Sequence, residues 1–144
     1  MKKIGLILVA VFAMVITACE KEDENMFENG TYYAETAEFS HGWKAFVEAE
    51  ITDDELVAVD FDYFDADGGL KSETTAENYP MDPHPTVWLP QYEAALLAAD
   101  ITSFTEVDVI TGATGAWGNV NVLMTAILDA AEDGKTGDII VTIE

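Results

Sequence analysis

The stretch Ala45-Phe46-Val47-Glu48-Ala49-Glu50-Ile51-Thr52-Asp53-Asp54-Glu55-Leu56-Val57-Ala58-Val59-Asp60-Phe61-Asp62-Tyr63 changes character at every second residue. Ala45, Val47, Ala49 and Ile51 alternate with Phe46, Glu48 and Glu50. Val57, Val59, Phe61 and Tyr63 alternate with Ala58, Asp60 and Asp62 on the return. A period of two, rich in β-branched and aromatic residues, is the pattern of a half-buried strand. The spacing predicts an antiparallel hairpin that turns at Thr52-Asp53-Asp54-Glu55 and buries one face.

Working outward, Gly30-Thr31-Tyr32-Tyr33-Ala34-Glu35 reads as a β-rich segment that starts the fold. After the hairpin, Asp65-Ala66-Asp67-Gly68-Gly69-Leu70-Lys71-Ser72 is a loop, and residues 78–86, with three prolines, form another. From residue 87 to 99 the spacing turns helical, with Trp88, Tyr92, Ala95, Leu96 and Ala99 on one face and Pro90 in the first turn. A second helix carries Val120, Leu123, Met124, Ile127, Leu128 and Ala131 on one apolar face. Gly134 ends it, and residues 139–143 read as a closing strand. The expected class is α+β: an antiparallel sheet with two main helices packed on it, in a single domain over residues 30–144.

The chain opens Met1-Lys2-Lys3, followed by an uncharged apolar run to Ile16-Thr17-Ala18-Cys19. This is a charged n-region and a short h-region, the layout of a secretory signal over residues 1–18. The junction resembles a bacterial lipobox, in which Cys19, the only cysteine, is acylated; an ordinary signal peptide is the plainer alternative. Residues 19–29 then read as a lipidated residue and a polar tether, with a reach of roughly 20 Å from the cell membrane. Without residues 1–18, four lysines stand against 28 acidic residues, a net charge of about −24 with no arginine. Nucleic-acid binding is excluded, because nothing neutralises phosphates.

Between the helices lies Asp108-Val109-Ile110-Thr111-Gly112-Ala113-Thr114, followed by Gly115-Ala116-Trp117-Gly118. The apolar run Val107, Val109, Ile110 predicts a strand, then a small-residue turn, then a helix. Such a corner lets a ligand approach the backbone and offers helix N–H groups to an anion. The plainer reading is a connection with Thr114 as N-cap.

The motif resembles the flavinylation motif of the FMN-binding domain family. That family includes the covalent-flavin subunits of sodium-pumping and related ion-translocating oxidoreductases, and small flavinylated surface lipoproteins. Gly30-Thr31-Tyr32, His41-Gly42-Trp43-Lys44 and the hairpin resemble the same family's N-terminal half, so the likeness spans roughly residues 30–131. It implies that a separate FMN transferase joins FMN through its phosphate to the Thr114 hydroxyl. It also implies that Asp108 serves recognition by that enzyme, and that Thr111, Gly112 and Ala113 shape the turn. Gly115 stands where relatives often carry a polar residue, which removes a hydroxyl contact to the flavin. Asp54-Glu55 at the hairpin turn departs from a common Asp-Gly, and Tyr79 and Met81 match only loosely.

Trp43, Trp88 and Trp117 are candidates to stack on the ring, or core residues. Lys71 is a candidate to stand near the flavin N1 edge, or a surface lysine. His84, among prolines, reads as an exposed loop residue. The acidic residues 60–73 fail EF-hand spacing: with Gly68 sixth, Tyr63 is first and Thr74 twelfth. A looser calcium site or a solvated turn remains open.

The expected function is a membrane-anchored, extracytoplasmic electron carrier with covalent FMN, more a carrier than an enzyme with its own substrate. The family implies a membrane donor such as a quinone-linked dehydrogenase, and cationic or extracellular acceptors. The alternative is a flavin-free surface binding or adhesion lipoprotein on the same fold. A reductase with its own pocket is weaker, since Gly112, Gly115 and Gly118 do not form a dinucleotide fingerprint. The strong negative field steers cationic acceptors. Electron transfer to hexaammineruthenium(III) should therefore slow by about tenfold between low and physiological salt. A stopped-flow rate insensitive to ionic strength removes the steering claim.

Overall fold

The computed structural model describes residues 25–143. The signal and lipobox expectations, residues 1–18 and Cys19, lie outside the described residues. The elements are β1 Gly30–Thr36, β2 Lys44–Thr52, β3 Glu55–Phe64, α1 Pro85–Ala98, α2 Thr114–Glu132 and β4 Ile139–Val141. Short 3-10 turns stand at Lys71–Glu73 and Ile101–Ser103. The strands form one sheet in the order β3-β2-β1-β4. β1, β2 and β3 pair antiparallel, and β4 joins β1 in parallel with Ala34 opposite Ile139. The chain is thus α+β, with two helices packed on a mostly antiparallel sheet, and the last strand makes that sheet mixed.

One face of the sheet is buried. Tyr32 and Ala34 of β1, Ala45, Val47, Ala49 and Ile51 of β2, and Phe61 and Tyr63 of β3 are at most 6% exposed. α2 buries the face that its spacing placed inside, Val120 through Ala131. α1 buries Trp88, Leu89, Tyr92 and Leu96 against the β3 side. Each of the larger apolar side chains, such as Val47, Ile51, Phe61, Leu96 and Leu123, contributes roughly 1.5–3 kcal/mol on leaving water. This shared apolar layer holds the domain together.

The hairpin differs from strict alternation in one place. Ile51 pairs with Leu56 while Glu50 pairs with Ala58, so Val57 is an extra residue on β3. This β-bulge turns Leu56 inward and leaves Val57 exposed, where alternation had placed Val57 inside. Its turn places Asp53 and Asp54 at φ of 51° and 61°, the primed geometry that matches strand twist. Aspartate tolerates this region poorly compared with glycine. The carboxylate of Asp54 offsets that cost by accepting from the N–H groups of Met26 and Phe27, both at 2.9 Å. Phe27 is buried, so packing begins on the N-terminal side of Gly30.

α1 starts earlier than the spacing predicts. His84 caps it, its Nδ1 accepting from the Thr86 N–H at 3.3 Å, and Pro85 takes the first helical position. His84 is therefore a half-buried cap and not an exposed loop residue. Pro90 falls in the second turn, where it leaves the Thr86 carbonyl without its helical donor.

The expected strand over residues 107–110 is absent. This segment has no strand partner, and side chains take up its buried backbone polar groups. Val107 N–H donates to Asn121 Oδ1 at 2.8 Å, and Val107 O accepts from Trp117 Nε1 at 2.6 Å. Ile110 N–H donates to the Tyr92 hydroxyl at 3.1 Å. Asn121→Leu should therefore destabilise the protein by about 1–3 kcal/mol in urea unfolding, because a buried donor loses its acceptor. Val122→Leu, on the exposed side of the same helix, should change stability by less than about 0.5 kcal/mol.

Candidate functional site

Residues 110–113 form a tight turn closed by the Ala113 N–H donating to Ile110 O at 2.9 Å. Its third residue, Gly112, has φ of 85°, the positive value that a type II turn requires there. A Cβ on Gly112 would also run into the Pro83 ring. Two separate constraints thus demand glycine. Tyr92, fully buried, pins the turn from below: its hydroxyl donates to Ala113 O at 2.7 Å while accepting from Ile110 N–H.

α2 leaves this turn directly. Its N-cap is Ala113, which supplies no side-chain hydrogen bond, and Thr114 is the first helical residue. The reading of Thr114 as N-cap is corrected, and its hydroxyl is free of that task. The first intrahelical bond runs from Trp117 N–H to Ala113 O. The N–H groups of Thr114, Gly115 and Ala116 precede it and have no helical acceptor. No acidic residue occupies the first turn, whereas Asp129 and Glu132 stand near the C-terminal end. That is the reverse of the arrangement a helix dipole favours, and it leaves the positive end unneutralised.

The helix start forms one wall of a cleft of about 500 Å³. Gly112, Ala113, Thr114 and Gly115 line that wall. Trp43, Tyr79 and Lys71 line the same cleft, and Tyr63 and Trp88 also contribute. Thr114 is exposed, and the position of a Cβ on Gly115 is open space. Lys71 is 7% exposed, not a surface lysine. Its Nζ lies 4.0 Å from the Tyr63 ring centroid and 5.0 Å from those of Trp43 and Tyr79. Burial lowers its pKa to about 8, and the carboxylate of Asp62 opposes that shift. Burial likewise pushes the Tyr63 phenol up to about 12, although a hydrogen bond from Asn119 Nδ2 at 2.8 Å acts the other way.

The fold thus brings Trp43 and Lys71 to the same cleft as the distant run Gly112, Ala113, Thr114 and Gly115. Asp108 and Thr111 stay outside the cleft on exposed backbone. Trp117 does not reach it either, since its indole is turned to Val107. Sequence spacing placed Tyr63 and Tyr92 only on apolar faces, and Asn119 was not singled out. Their signal, apolar spacing on a strand and a helix, marks burial and says nothing about where a hydroxyl or amide points. Among the described residues no group of three or more His, Cys, Asp or Glu side chains is placed to hold a metal ion.

No family model matches the chain, and no curated protein matches it. Its structure is similar to the crystal structure of the CPE2226 protein from Clostridium perfringens. The two are 30% identical, with a TM-score of 0.74, over 83% of this chain and 100% of that one. The chain belongs to one family with that protein. A solution structure of a Clostridium thermocellum protein is 24% identical over 73% of this chain and 87% of its own. Its TM-score is 0.39.

Lys71 makes a pH-dependent contribution to stability. Its folded pKa, about 8, lies below its ordinary value of 10.5, so the folded state binds fewer protons between those values. The penalty for burying the charge is complete below pH 8 and gone above pH 10.5. Measured against Lys71→Met by urea unfolding, the parent should gain stability as pH rises through this window. A constant difference would show that Lys71 is not buried as a charge.

Proposed function

We propose that this chain is an electron carrier that holds FMN covalently through the Thr114 hydroxyl. The observation that carries the reading is the position of Thr114: an exposed hydroxyl on the first residue of an uncapped helix, at the edge of a ring-lined cleft. The cleft falls in the range of small-molecule pockets, about 300–1,000 Å³. The residues fit the group. The N–H groups of Thr114, Gly115 and Ala116 would face its phosphate. Trp43 and Tyr79 would bound its ring, and Lys71 would place a positive charge beside it. The open space at Gly115 leaves room where a larger residue would intrude.

Bound there, the flavin would supply one- and two-electron transfer; the protein supplies attachment, orientation and electrostatics. A chain with formal net charge −22 is a poor receptor for a free dianion. A phosphoester to Thr114 makes retention independent of affinity, and the unneutralised helix end favours the remaining charge. The exposed position of Asp108, away from the cleft, suits a contact with a modifying enzyme that approaches from solvent. The flavin transferase, the quinone-linked donor and the cationic acceptors come from the family resemblance. The membrane anchor comes from the resemblance of the Cys19 junction to a lipobox.

The test is the intact mass of the purified chain, expressed with and without an FMN transferase, beside Thr114→Ala. A gain equal to FMN less one water, dependent on the transferase and lost in the variant, is the expected outcome. No gain under any condition would sink the attachment and leave a flavin-free binding protein.

A further inference from the structure

Lys71 stands in the cleft wall without a partner of opposite charge. The only ion pair among the described residues joins Lys135 to Asp133 at the surface. A carboxylate lies near Lys71, that of Asp62, which is 4% exposed, but its oxygens are committed elsewhere. Asp62 Oδ1 accepts from the Tyr63 N–H at 2.7 Å and the Ser72 N–H at 3.1 Å. Its Oδ2 accepts from the Ser72 hydroxyl. These bonds staple the Lys71–Glu73 turn to β3. Thr74 Oγ1 closes the turn from the other side, donating to Lys71 O at 2.6 Å.

The result is a buried cation fixed at its backbone and ringed by three aromatic faces. Cation–π contacts supply part of the stabilisation lost with water. They do not neutralise the charge, and the Asp62 carboxylate offsets it only from beyond ion-pair distance, so an ammonium that lines the cleft favours an anionic ligand there. Glu38 and His41 line the same cleft from the segment between β1 and β2. Glu38 opposes an anion there, so selectivity for one depends on how firmly Lys71 is held.

We propose that Asp62 and Ser72 are positioning residues that set the Lys71 ammonium as the charge-selective element of the cleft. Lys71 takes the anionic edge of a planar ring, so a reduced, anionic isoalloxazine is held more tightly than the oxidised, neutral one. This rests on the flavin reading of the cleft. Reduction adds two electrons and one proton to the ring and leaves one negative charge near neutral pH. The charge that Lys71 meets is therefore present only after reduction. By linkage, tighter binding of the reduced state raises the flavin potential by the same free energy.

The experiment uses free riboflavin, which has no phosphate, and the full chain carrying Thr114→Ala, so that attachment plays no part. Affinity is measured anaerobically for the oxidised form and for the form reduced with dithionite. The reduced form should bind about tenfold more tightly, the scale of one charge-assisted contact. Lys71→Met should abolish that ratio, and Asp62→Asn and Ser72→Ala should shrink it. A purely structural role for Asp62 and Ser72 would lower the melting temperature and leave the ratio unchanged, which overturns their assignment. Should Asp62→Asn not fold, Ser72→Ala, which removes one hydroxyl from an exposed residue, carries the test. Equal affinities in the parent, no binding of either form up to the solubility limit of riboflavin, or a ratio indifferent to Lys71→Met overturns the proposal. Attachment is read separately by mass. A redox-dependent ratio without a mass gain would refute Thr114 attachment and keep the charge site, and the reverse result would do the opposite.

Discussion

The Tyr92 hydroxyl joins the core of this domain to its cleft. Its ring lies fully buried in α1, edge-on to Phe61 with ring centroids 6.0 Å apart, and its oxygen bridges Ala113 O and Ile110 N–H. The segment before α2 has no strand to pair with, so its backbone groups depend on side chains. Tyr92, Asn121 and Trp117 satisfy them in sequence from Ala113 back to Val107. Buried backbone polar groups must be paired, and here the pairing also fixes where α2 begins. The start of α2 in turn sets the position of Thr114.

Charge is distributed against the usual logic of helix stability. α2 carries no acid in its first turn and acids near its last, in a chain with 28 acidic residues and six lysines. The two sources of positive potential at the cleft are the start of α2 and Lys71, and both act over a short range in a strongly negative molecule. Lys71 is kept charged-side inward by the Asp62–Ser72 bonds, and burial lowers its pKa to about 8. Of the three described lysines only Lys71 lines the cleft, where it and the start of α2 set a local positive potential within a strongly negative molecule.

Much of this was legible in sequence, and the failures have separable causes. Alternation marked β2 and β3, and the 3.6-residue spacing marked the buried face of α2, because burial of one face imposes a period on composition. The bulge at Val57 was not legible, since one extra residue shifts the pattern without changing its residue types. The missing strand before α2 has the composition of a strand; what it lacks is a neighbour. His84 looked like a loop residue because capping by an imidazole is set by the turn geometry around Pro83 and Pro85.

For the site, residue types and local spacing by themselves determined the turn, the positive φ that Gly112 supplies in it, and the hydroxyl of Thr114 beside a helix start. These are short-range properties, set by φ, ψ and neighbours within one turn of chain. The Pro83 ring that also excludes a side chain at Gly112 is a tertiary contact. The tertiary structure alone decided that Lys71 and Trp43 line one cleft with Thr114, that Trp117 turns away, and that Asp62 bonds the Lys71–Glu73 turn. Those outcomes depend on how the sheet and helices pack. Packing brings together side chains dozens of residues apart, and neither periodicity nor composition encodes which of them will meet.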